Sequence, residues 1–256
     1  MKGGDGAEAS LFDGRPCAGR VHDYLLGGRD NCAVDREAGD QLLRVVPEAR
    51  AIALENRAFL RRAVHYLSGE RGVAQFLDVG SGLPTRCSTH HAAQTMIPWA
   101  RTVYIDHDPL VVSHARTLVR DGRTQVARAD MHHVAEVIDA ARGLLDFDQP
   151  VAVMLVAVLD LTRDARRIVR ELVKELAFGS FVVVTHGEAG GSDVAPVCRE
   201  GLEVGVPRSR KEIAGLMTGL QLAPPGLVAA AAWKNGLVTG EAAGLPLLGA
   251  VGRVCS

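Results

Sequence analysis

Phe76-Leu77-Asp78-Val79-Gly80-Ser81-Gly82-Leu83-Pro84-Thr85 is a short apolar strand that runs into a Gly-x-Gly turn, with a helix expected to follow. Glycines at such a turn allow a sharp bend and let a ligand approach the main chain closely. Asp78 stands inside the strand end, just ahead of the glycines. A second acid, Asp106, closes the next apolar run, Val103-Tyr104-Ile105-Asp106, where a carboxylate can accept both hydroxyls of a ribose. Gly-x-Gly alone is common in surface turns, so the pairing with Asp106 carries the reading. A dinucleotide fingerprint would need a third glycine, but Pro84 and Thr85 follow instead. A pyrophosphate uses free N–H groups at the helix start, and proline removes one of them. The ligand expected at Gly80, Ser81 and Gly82 is therefore a nucleoside without phosphates, rather than NAD or FAD.

The pattern extends in both directions from this turn. Apolar runs at 74–79, 102–106, 124–129, 151–159 and 180–185 read as strands, and segments near 88–97, 108–120, 131–142 and 164–177 read as helices. Such alternation predicts βαβ units and a parallel sheet covered on both faces. Ahead of it, a short helix is expected over residues 36–46, ended by Pro47, and then an amphipathic helix carrying Ile52, Phe59, Ala63, Val64 and Leu67. Residues 209–220 read as another helix, and 226–233 with 247–254 as a final hairpin. The expected organisation is a flexible tail over 1–19, a helical lid segment over 20–72 and a Rossmann-like domain over 73–256, making one globular unit.

Composition narrows the function. Hydrophobic residues make up 47% of the 256, enough for a sizeable core, and the formal net charge of -1 argues against nucleic acid or a membrane surface as partner. Five cysteines, none at C-x-x-C spacing, suit reduced thiols in the cytoplasm. The polar, glycine-rich start has no apolar signal region, and the longest apolar run is too short for a membrane span.

Several further stretches carry a resemblance. Asp-Val-Gly-x-Gly, then Ile-Asp-x-Asp-Pro, then Ala129-Asp130-Met131 is similar to the pattern of class I S-adenosylmethionine-dependent methyltransferases. More narrowly, Arg20-Val-His-Asp-Tyr-Leu-Leu-Gly-Gly-Arg-Asp-Asn31 resembles the N-terminal signature of a bacterial family of S-adenosyl methyltransferases. So do Glu55-Asn-Arg-Ala-Phe-Leu60, Arg208-Ser-Arg-Lys-Glu-Ile213 and Gly249-Ala-Val-Gly-Arg253. The resemblance runs from about Arg20 to Arg253. It implies a mostly parallel seven-stranded sheet with an antiparallel last strand, a pocket roofed by the N-terminal segment, and S-adenosylmethionine as cofactor. It also implies methyl transfer to a small molecule, with specialised metabolism as the expected setting. This chain departs from the family pattern at Arg86-Cys87-Ser88, His107, Asp160 and His22. Those departures keep a second reading open, in which the fold is retained for an elimination or cyclisation, or for work beside a partner enzyme or a second copy, with the cofactor weakened or lost.

The candidate residues follow from these positions. Asp78, Gly80, Ser81, Gly82, Asp106 and His107 are expected to hold the cofactor. Asp130 is placed to accept from an adenine amino group and Met131 to pack on the base, although an Asp there also serves as a helix N-cap. Reacting groups of an open α/β sheet lie beyond the carboxyl ends of its strands, which selects Asp160 and His186 as catalytic candidates. His22, Tyr24, Asp30 and Asn31, beside Gly27-Gly28, suit a loop folding over substrate or cofactor. His90-His91 and His132-His133 read as helix-surface pairs with no third ligand, so no metal is expected.

Overall fold

The computed structural model describes residues 14–84, 88–119, 121–189, 205–234 and 244–255. Three helices come first: α1 (Ala18–Leu25), α2 (Ala33–Val45) and α3 (Ala49–His65), the last continuing into a wide turn at Tyr66–Glu70. Then follow β1 (Gln75–Val79), α4 (Thr89–Met96), β2 (Arg101–Asp106), α5 (Pro109–Leu118) and β3 (Thr124–Arg128). After them come α6 (Val134–Ala141), β4 (Ala152–Leu155), α7 (Ala165–Lys174) and β5 (Phe181–Gly187). The chain closes with α8 (Arg210–Leu216), β6 (Leu220–Leu222), β7 (Val228–Ala229) and β8 (Leu247–Val254).

The sheet runs β3-β2-β1-β4-β5-β8-β6, with β7 also on β8, and the pairs from β3 to β5 are parallel. β8 pairs antiparallel with β5, β6 and β7. The expected mostly parallel sheet is present, with eight strands instead of seven. Alternation along each strand builds two cores. Leu77, Val103, Val153 and Val182 face α6 and α7, while Phe76, Met154 and Val183 face α3. Burial on both faces is what makes these strands read as continuous apolar runs.

Four expectations need correction. Of the proposed tail, residues 1–13 lie outside the described residues, but Ala18 and Gly19 form the first turn of α1. Gly19 packs backbone to backbone on the glycine turn, where an added Cβ would lie 3.2 Å from Gly82 Cα. The apolar run 151–159 is strand only to Leu155. Ala157 takes a positive φ of 57°, and Leu159–Leu161 is a 3-10 turn. The helix expected over 209–220 ends at Leu216, because Gly219 at φ 89° redirects the chain into β6. The final hairpin is limited to Val228–Ala229. The next residues form a 3-10 turn that drops Trp233 into the core against Phe59 and Tyr66, with ring centroids 5.4 and 5.6 Å away. No helix among the described residues is long and apolar enough to cross a membrane.

Candidate functional site

Strand order reverses between β1 and β4, and a cavity of about 360 Å³ opens there at the carboxyl ends of the strands. This is the crevice where open α/β sheets bind ligands. Gly80 and Gly82 line it with φ of 66° and 59°, in the left-handed region that a side chain would strain. The Gly80 and Ser81 amides donate to Ile105 O at 2.8 and 3.1 Å, which pins the turn to β2.

Asp106 is 7% exposed at the end of β2. Its Oδ2 accepts the Gly82 amide at 2.9 Å and its Oδ1 the Asp108 amide at 3.0 Å. Each carboxylate oxygen thus keeps a lone pair for a further donor. Burial pushes this carboxyl above its usual range, against the two amides that pull it down. Asp78, 4% exposed, is pushed up to about 6 by burial, while Thr89 and Arg57 oppose the shift. Thr89 donates its hydroxyl to Asp78 Oδ2 at 2.6 Å. At the end of β3, partial burial pushes Asp130 up, but the His132 amide and ring outweigh it and hold the carboxyl below its usual range. The His132 ring spans Asp130 Oδ1 at 2.7 Å and Thr162 Oγ1 at 2.8 Å.

All eight residues expected to hold the cofactor line this one cavity: Asp78, Gly80, Ser81, Gly82, Asp106, His107, Asp130 and Met131. Of the four lid candidates only His22 does. Tyr24 turns toward α2 and donates its hydroxyl to Asp40 at 2.7 Å. Asp30 and Asn31 serve the loop itself: buried Asp23 accepts the Asp30 amide at 2.9 Å and the Asn31 side chain at 2.8 Å.

The two catalytic candidates are placed differently from expectation, since neither lines the cavity. His186 is 0% exposed. The guanidinium of Arg208 donates to its Nε2 at 2.7 Å, so the ring proton sits on Nδ1, 2.8 Å from Asp160 Oδ1. Asp160 also accepts the Gly187 amide at 3.0 Å. The Asp160–His186–Arg208 chain ties the turn after β4 to β5 and to the start of α8. Its imidazole has no lone pair left to take a proton from an acceptor. The histidine pairs differ too: His90 is buried against Tyr104 Oη at 2.7 Å, and His132 is part of the cavity wall.

The residue-type reading missed Arg57 and Asn56 on α3 and His132. Asn56 accepts from Thr185 Oγ1 at 2.6 Å, and that hydroxyl accepts the Ala157 amide at 2.9 Å, fixing the bend that opens the crevice. Asn56 and Arg57 lie in the 55–60 motif, where resemblance is the only signal the sequence carries. Residues 85–87, where the chain departs from the family pattern, lie outside the described residues.

A crevice at the switch point of a mostly parallel sheet with this strand order is the architecture of the class I methyltransferase fold. The chain belongs to the S-adenosyl methyltransferase family, whose model matches residues 5–254. It is similar to a candidate methyltransferase from Thermobifida fusca YX, with 35% identity, a TM-score of 0.91, and 96% of this chain and 98% of that one covered. It is also similar to a DUF574 family protein of Streptomyces avermitilis MA-4680, with 32% identity, a TM-score of 0.87, and 95% and 99% covered. The plantazolicin methyltransferase BamL, solved with S-adenosylhomocysteine, shares the fold at 11% identity and a TM-score of 0.56, over 97% and 98% of the two chains. No curated protein matches the chain. The protein is an S-adenosylmethionine-dependent methyltransferase, and the cavity residues fit that cofactor: paired acceptor positions on Asp106 suit a ribose, and the turn beside them must be glycine, since a Cβ on Gly80 would run into the Val158 side chain.

Proposed function

We propose that this cytoplasmic protein methylates a small molecule, holding its cofactor between the glycine turn and the ends of β1, β2 and β3. The observation that carries this reading is Asp106: a buried carboxylate with each oxygen already bonded once to the backbone, lining a cavity of about 360 Å³. Asp106 would accept the ribose hydroxyls, and Asp130 and Met131 would meet the adenine. Asp78 would hold the amino group of the methionine portion, and Arg57 its carboxylate. When bound, S-adenosylmethionine supplies an electrophilic methyl group. The chain's own contribution is alignment and exclusion of water, the latter by α1, whose Cys17, Ala18 and Gly19 close over the turn.

Asp106→Ala should weaken S-adenosylhomocysteine binding on the order of 10–100-fold, the loss of charge-assisted hydrogen bonds worth roughly 1.5–3 kcal/mol. Isothermal calorimetry on the intact protein and the variant reads this directly. No binding by the intact protein would remove the proposal.

A further inference from the structure

The part of the cavity that the cofactor does not claim describes the acceptor. Val21 and Leu25 of α1, Leu42 of α2, Leu60 of α3 and Val156 after β4 form an apolar wall, with His22 set among them. Two polar side chains, Asn56 and Arg57, border that wall. Asn56 accepts from Thr185, and Arg57 lies close enough to Asp78 to pull its carboxyl down. Three of the cavity's acids, Asp78, Asp106 and Asp130, belong to the cofactor seat, and Asp160 is turned away onto His186 and Gly187.

We infer that the acceptor is an uncharged molecule with an apolar body and one nucleophilic hydroxyl, which His22 receives by a hydrogen bond. The inference rests on the cofactor assignment above. The His22 ring lines the cavity and makes no hydrogen bond to any other described residue. His22 is part-buried, and its desolvation, with Arg57 adding to it, lowers its pKa, so the imidazole is neutral and keeps one accepting nitrogen. Among the described residues, a cationic amine entering this wall would find no carboxylate outside the cofactor seat, and a buried charge without a partner is expensive. A second anion would compete with Asp78 for Arg57.

Three matched phenols test this against protein saturated with S-adenosylhomocysteine: 4-ethylphenol, which is neutral, tyramine, which is cationic, and 3-(4-hydroxyphenyl)propanoate, which is anionic. Calorimetry should show 4-ethylphenol binding at least about tenfold more tightly than either charged analogue, a difference of about 1.4 kcal/mol. His22→Leu should weaken 4-ethylphenol by about tenfold and S-adenosylhomocysteine by much less. Equal or tighter binding of tyramine or the carboxylate would overturn the inference, as would failure of 4-ethylphenol to bind or its indifference to His22→Leu. If S-adenosylhomocysteine itself did not bind, the cofactor assignment would fall instead, so the two failures are distinguishable.

Discussion

Asp78 is a buried carboxylate in the cavity whose charged form comes at a cost to the fold. Burial and the Asp106 charge push it up to about 6 from an ordinary 3.8. An acid whose folded-state pKa lies above its unfolded value favours the folded state below the unfolded pKa, and that benefit is lost as pH rises through about 6. At neutral pH Asp78 therefore strains the empty protein by up to about 3 kcal/mol. Asp78→Asn should raise the melting temperature of the empty protein near pH 8, and the gap should close near pH 4. The same variant should bind S-adenosylhomocysteine more weakly and lack the decline in affinity expected of the native protein below about pH 6. Thermal melts and calorimetry across pH 4–8 read both effects, and an Asn variant that is less stable near pH 8 would contradict this assignment. Asp78, Asp106 and Asp130 were legible in the sequence because each closes an apolar strand, a purely local signal. Asp160 was misplaced because an apolar run hides its own end. The bend at Ala157 is taken by a residue type that does not announce a positive φ.

The first two helices are held by Arg20, which is 5% exposed on α1. Its Nε meets Asp35 of α2 at 2.9 Å, and its NH1 meets Asp108 at 2.9 Å. Asp108 is the N-cap of α5, accepting the Leu110 and Val111 amides, and its own amide bonds Asp106. One guanidinium thus joins the first two helices to the loop that presents Asp106. Arg20→Ala leaves Asp35 buried without its cation, which costs about 3–5 kcal/mol where a buried pair loses one partner. We expect faster amide hydrogen exchange over residues 17–35 and weaker S-adenosylhomocysteine binding, with β1 to β5 still protected. Arg20→Lys should recover part of both. Unchanged exchange in the lid would contradict this role. The sequence marked residues 20–72 as a lid by resemblance, but it assigned Tyr24, Asp30 and Asn31 to the ligand. Local patterning shows that a polar loop exists, yet not that Asp23 is buried beneath it to bind its backbone.

The sheet of the whole molecule was legible because fully apolar strands alternating with helices leave little choice of architecture. The edge built from β6 and β7 was not, since strands of three and two residues carry no period to read. The cavity lay between these cases: its floor comes from strand ends close to one motif, while its walls come from α1, α2 and α3, brought over by tertiary packing. Phe59 against Gly249 seats α3 on β8, and that contact carries Asn56 and Arg57 to the crevice. A crystal structure of the protein with S-adenosylhomocysteine tests the cofactor assignment most directly. It should place both ribose hydroxyls within hydrogen-bonding distance of Asp106, with the adenine beside Asp130 and Met131 and the amino acid portion between Asp78 and Arg57. Nucleoside density elsewhere on the molecule, or a ribose that does not reach Asp106, would contradict it.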